Sequence, residues 1–110
     1  MLRENASYFP RQRSATVQGA DQTVDSIPLT SARSCSWEYV LIRGENVQRG
    51  TFVAGWSSDG SSIVTSREAT DDVGDCSEVS LGCVLSGSEI LFRATTVNEW
   101  TIYFRRSRIG

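Results

Sequence analysis

The sequence predicts an all-β fold, an antiparallel β-sandwich or jelly-roll-like barrel of about seven strands with an extended N-terminal arm. Three observations carry that expectation. Apolar residues recur at alternate positions over short segments, and no segment sustains the 3.6-residue period of an amphipathic helix. Polar turn residues such as Gly44-Glu45-Asn46, Ser57-Ser58-Asp59-Gly60 and Ser86-Gly87-Ser88 separate those segments, which is the punctuation of hairpins. The stretch Arg33 to Arg43, RSCSWEYVLIR, aims Cys35, Trp37, Tyr39 and Leu41 at one face, and the rest of the chain is organised around it. Its opposite row, Ser34, Ser36, Glu38, Val40 and Ile42, starts polar and turns apolar.

Taken in order, residues 1–21 have no sustained periodicity and mix Arg3, Arg11 and Arg13 with Tyr8, Phe9 and Pro10. They read as an arm outside the folded domain, which is expected over residues 22–110. Disordered tails are poor in aromatics, whereas an aromatic cluster flanked by Arg suits an anchor that orders on a partner. Thr23 to Leu29 is the first expected strand, and Pro28, which cannot donate to a ladder, puts it at an edge or ends it. Val47 to Trp56 follows the central strand with Phe52, Ala54 and Trp56 in alternation, and Gly50 and Gly55 inside it suggest a bulge or a close backbone approach. Ser61 to Ala69 reads as a strand exposed on one face. Glu78 to Leu85 points Val79, Leu81, Cys83 and Leu85 inward, and Glu89 to Val97 does the same with Ile90, Phe92 and Ala94. Asn98-Glu99 reads as a turn before a last strand bearing Trp100, Ile102 and Phe104. The expected core therefore comprises Trp37, Tyr39, Leu41, Phe52, Trp56, Leu81, Phe92, Trp100 and Phe104.

A chain of 110 residues with 39% apolar content has room for one core. No apolar run approaches the roughly 20 residues that a membrane helix needs, and the first residues lack the apolar segment of a secretory signal. The formal net charge is −2, all 11 cations are Arg, and there is no His. Without imidazole, Ser-His-Asp and Cys-His mechanisms and the usual zinc sites are excluded. An Arg-only cation set reflects either genome composition or the suitability of the guanidinium fork for interfaces. Cys35, Cys76 and Cys83 allow at most one intrachain disulfide and form no CxxC pair. Cys35 and Cys83 fall on inward rows and read as small core residues, while Cys76 sits in the acidic loop TDDVGDCSE and is expected to be exposed. That loop gathers Asp71, Asp72, Asp75 and Glu78, which invites a calcium reading. Its spacing does not match an EF-hand, and an acidic surface turn is the expectation. The sequence thus calls for no catalytic residue, no metal and no cofactor.

The segment VDSIPLTSARSCSWEYVLIRGENVQRGTFVAGW resembles a small β module of tailed-bacteriophage structural proteins, those of cyanophages in particular. The shared pattern starts with Asp25-Ser26 ahead of an apolar residue, then Arg33-Ser34 leads into the alternating aromatic strand. It continues through the Gly44-Glu45-Asn46 hairpin, the loop around Gly74-Asp75 and a leucine-rich strand. The turn at Ser86-Gly87 before Ile90-Leu91-Phe92-Arg93-Ala94 and a closing basic strand complete it. The resemblance covers residues 24–109.

That resemblance implies a non-enzymatic virion component, either a capsid decoration (cement) protein or a tail or neck fibre or baseplate module. The expected partners are further copies of the chain, as a homotrimer, and the major capsid protein or another virion protein. Arg3, Tyr8, Phe9, Arg11 and Arg13 of the arm are the candidate contacts. A carbohydrate-binding module is the rival, because Trp and Tyr can stack on sugars, but Trp37, Trp56 and Trp100 fall on inward rows. An enzyme using paired carboxylates such as Asp71 with Asp75 or Glu78 is a weaker rival. Dispersed Arg residues and an acidic balance argue against nucleic acid, and nothing in the sequence suggests a membrane partner.

Overall fold

The computed structural model describes residues 11–110, and these form an antiparallel all-β sandwich. Among the described residues there are six strands. They are β1 (Arg13–Pro28), β2 (Ser34–Arg43), β3 (Asn46–Trp56), β4 (Ile63–Ala69), β5 (Ser80–Ser86) and β6 (Glu89–Ile109), with a single 3-10 turn at Leu29–Ser31. They hydrogen-bond in the order β1-β6-β2-β3-β4, and β5 adds to β6.

The two layers come from one continuous sheet folded over on itself. The second half of β6 pairs with the first half of β1 on one side and with β2 on the other, for example Val17 with Trp100 and Leu41 with Ile102. The first half of β6 pairs with the second half of β1 and with β5, as in Ile27 with Ile90 and Cys83 with Phe92. Both long strands therefore run through both layers, and the fold occurs where their register slips, between Val17 and Gly19, Gly19 and Gln22, and Thr23 and Asp25. Bulges of this kind bend a strand and sharpen its twist. Gly19, at φ 107°, supplies a backbone conformation there that a side chain would resist. Asp21, at φ 51°, adopts the left-handed region and donates its N–H to Thr95 Oγ1 at 2.9 Å.

Between the layers, Trp37 of β2 stacks on Phe92 of the first half of β6 with centroids 4.6 Å apart, and Phe52 stacks on the same ring at 5.1 Å. Tyr39, Leu41, Trp56, Trp100 and Phe104 are buried in the same core, and Leu81 packs against it half-buried. Each indole N–H is satisfied, Trp37 by Asp25 Oδ2 at 2.9 Å, Trp56 by the Ala32 carbonyl at 3.0 Å and Trp100 by Glu78 Oε2 at 2.7 Å. Buried aromatic bulk is thereby fixed in orientation as well as in place.

Four expectations need correction. The sheet begins at Arg13, not near Gln22: residues 13–21 pair with β6, and Val17 is buried. Arg13 opens β1, and its guanidinium lies 4.0 Å from Asp25 Oδ1, so it belongs to the domain rather than to a free arm. Asn98-Glu99 is not a turn. The chain continues as β6, and Glu78 takes the place of a ladder partner by accepting from the Asn98 N–H at 2.9 Å and its Nδ2 at 3.0 Å. Cys76 is buried rather than exposed, because the loop folds back through the Val47–Val73 bridge and the Cys76 N–H donates to Asp72 Oδ2 at 3.1 Å. Leu85, expected inward, is exposed at the end of β5. Gly50 marks a close approach and no bulge, since the β2–β3 register is regular and a Cβ there would lie 2.5 Å from the Tyr39 hydroxyl.

Candidate functional site

Polar side chains that enter the interior are consumed by the fold. Asp25, on the inward side of the last bulge in β1, accepts from Arg106 Nη1 at 2.9 and 3.0 Å, from Trp37 Nε1 at 2.9 Å and from the Ser26 N–H at 3.0 Å. The same Arg106 nitrogen also donates to the Ser26 carbonyl at 3.2 Å. A buried carboxylate is tolerable when its lone pairs are met by a cation and further donors, and that condition holds here. Arg67, although exposed to solvent, is held in the same way from β4, which has no ladder partner on its outer edge among the described residues. It donates to the Tyr39 hydroxyl at 2.9 Å, to Gln48 Oε1 at 2.8 Å and to the Val79 carbonyl at 3.2 Å. An inward-pointing charge on an edge strand discourages strand addition there. No buried side-chain nitrogen or oxygen lacks a partner among the described residues.

The carboxylates of the acidic loop point to separate partners rather than to a common centre. Asp72 accepts from Gln48 Nε2 at 2.7 Å, Asp75 from the N–H and hydroxyl of Ser77 at 2.9 and 2.6 Å, and Glu78 from Asn98 and Trp100. No group of three or more Cys, Asp or Glu side chains is arranged to hold a metal ion among the described residues. Donors from Asn98 and Trp100 pull Glu78 below its ordinary pKa, and those from Ser77 do the same for Asp75. Ser61 and Ser57 lower Asp59 to about 2. The folded chain therefore holds fewer protons than the unfolded chain just below the ordinary carboxylate values. The stability contributed by these groups is whole above those values and is lost as pH falls through the lowered ones. Melting temperature should fall on acidification across that window, and Glu78→Gln should flatten the fall. An unchanged pH profile in that variant would remove Glu78 from the account.

The thiols are shielded to different degrees, Cys35 and Cys76 buried and Cys83 half-buried. All three are free, and burial raises Cys35 to about 11 and Cys83 to about 12 and also raises Cys76, which suppresses the nucleophilic thiolate.

What the fold leaves available is the outer face of the larger layer. There β6, β2, β3 and β4 present Tyr103, Arg105 and Ile109, then Glu38 and Val40, then Arg49 and Val53, then Val64 and Glu68. Val64 and Ile109 are 73% and 71% exposed, Val53 40% and Tyr103 37%. A groove of about 180 Å3 runs along it, lined by Gln12, Glu38, Val40, Arg49, Tyr103 and Arg105. A second, mostly apolar depression of about 270 Å3 lies over Val53, Gly55 and Val64.

The chain enters β1 at the margin of this face. Arg11 is exposed immediately ahead of the strand, while Arg3, Tyr8 and Phe9 lie outside the described residues. Of the sequence-predicted contact residues, only Arg11 and Arg13 can therefore be placed, and Arg13 is engaged with the fold. Trp37, Trp56 and Trp100 are at most 5% exposed, so none of them forms a sugar-stacking platform. The Asp25–Arg106 pair is not among the residues the sequence singles out. Continuing the alternation of Ile102 and Phe104 puts Arg106 on the inward row, a signal that was available. The burial of Asp25 had none, because the bulge turns Val24 and Asp25 inward together.

Fold and surface define an all-β module whose exposed chemistry lies on a sheet face. No family model and no curated protein sequence matches the chain. Among solved structures it is similar to the tailspike protein of Acinetobacter baumannii phage AM24, with 12% identity and a TM-score of 0.37 over 90% of this chain and 26% of that one. The chain thus spans about a quarter of that tailspike, and at this level the likeness carries no argument about function.

Proposed function

We propose that the chain is a structural protein of a tailed-bacteriophage virion, a capsid decoration protein that self-associates and grips the shell through the segment ahead of β1. The observation that carries the reading is the division of polar groups. Inward ones are spent on Asp25–Arg106, Glu78 and Arg67 networks, while an exposed face of mixed Arg, Glu and aliphatic residues is left for contact. Such a division suits a module that works by binding rather than by chemistry. The sequence pattern shared with phage β modules over residues 24–109 supplies the virion context. A tail or neck module is the second reading, favoured by the same pattern. Residues 1–11 add Arg3, Tyr8, Phe9 and Arg11, types that serve as interface anchors through aromatic burial and bidentate pairing with carboxylates.

Deletion of residues 1–10 tests the attachment, because it stops short of β1, whereas a cut at residue 20 would remove the buried Val17. The truncated protein should keep the circular dichroism and melting temperature of the full chain and fail to load onto particles. Loading at the full-length level would assign shell binding to the domain surface instead.

A further inference from the structure

The strand registers place the residues of the outer face in rows that cross β6, β2, β3 and β4. One row reads Ile109, Ser34, Gly55, Val64, the next Ser107, Ser36, Val53, Ser66, and the third Arg105, Glu38, Thr51, Glu68. A fourth carries Tyr103, Val40 and Arg49. The third row has a cation at the β6 flank and an anion at the β4 flank, and the first row has an exposed aliphatic residue at each of the same flanks.

We propose that this face binds a second copy of the chain, face to face, about a two-fold axis that runs parallel to the strands between β2 and β3. Such an axis exchanges β6 with β4 and β2 with β3 while keeping every residue at its own level along the strand. Arg105 then meets Glu68 of the second copy, and the reciprocal pair forms by symmetry, as an isologous interface requires. At the other levels Ile109 meets Val64, Ser107 meets Ser66, Ser36 meets Val53, and Val40 meets Arg49 beside Glu38. No like charges are opposed. An axis running across the strands at the charged row would put Arg105 on Arg105 and Glu68 on Glu68, which disfavours it.

Geometry permits the pairing. Strands lie about 4.8 Å apart, so Arg105 and Glu68 sit about 7 Å from the axis. The rotation of about 30° between aligned packed sheets displaces them by about 4 Å, within the reach of an Arg side chain. A two-fold pair is an alternative to the expected homotrimer, and the stoichiometry in solution decides between them. The pairing is a property of the isolated chain and holds with or without the virion role.

Sedimentation equilibrium of the full chain provides the test. The wild type should be a monomer–dimer system, with dissociation strengthened by salt. Arg105→Glu and Glu68→Arg should each raise the dimer Kd roughly tenfold or more. The double variant, which reverses the pair, should return to within a few-fold of wild type. Both substituted positions are exposed, and unchanged melting temperatures of the monomers would show that folding is intact. A wild type that stays monomeric, a trimer, or a double variant no tighter than the singles would overturn the proposal.

Discussion

Replacing Trp37 with Ala is expected to destabilise the domain by about 3 to 5 kcal/mol in chemical denaturation, the range for deleting a buried Trp when the cavity cannot collapse. Trp37 is fully buried, stacks on Phe92 and lies 6.1 Å from the Phe52 ring. It joins the two layers, and its indole N–H also holds Asp25. Trp37→Phe separates these roles. It keeps most of the ring contact and removes the donor, so it should cost less, about 1 to 3 kcal/mol for a buried acceptor left short of a partner. A change in Trp37→Ala of less than about 0.5 kcal/mol, the scale of an ordinary surface substitution, would contradict the packing described.

Asp25→Ala should be as damaging, again about 3 to 5 kcal/mol, because it strands the half-buried Arg106 guanidinium and orphans the Trp37 N–H together. The Asp25 side chain is 6% exposed and that of Arg106 19%, so added salt should change the loss little. Replacing both Asp25 and Arg106 with apolar residues should recover part of the stability, since no lone charge then remains. Equal losses in the single and double variants would mean that the pair does not act as a unit.

How much of this was legible follows from what alternation can encode. Cys35, Trp37, Tyr39 and Leu41 on β2, and Ile102 and Phe104 on β6, lie inward as their period-2 spacing implies, because a strand between two neighbours has fixed register. Alternation fails where the register slips. The bulges in β1 leave no mark in the alternation, so periodicity alone starts the strand at Thr23 and leaves the buried Val17 in an arm. Asn98-Glu99 carries turn chemistry, yet a carboxylate 20 residues earlier satisfies its backbone and lets β6 continue. Cys76 departs from its expected exposure for a related reason: Asp72 and Asp75 accept from N–H groups of the loop itself and Asp72 also from Gln48, so an acidic segment packs a thiol inward.

The outer face was legible as a row of polar and aliphatic residues on β2, but its cross-strand pattern was not. Arg105 and Glu68 are 37 positions apart in the chain, and only the β2–β3, β2–β6 and β3–β4 registers bring them into one row. The self-complementarity of the face is a product of topology rather than of any local motif.

Quantitative mass spectrometry of phage particles purified from cells in which this chain is produced tests the proposed virion role most directly. A capsid decoration protein should be present at hundreds of copies per particle, held in proportion to the major shell protein. A few tens of copies or fewer would move the chain to the tail or neck, and its absence from purified particles would contradict a virion role altogether.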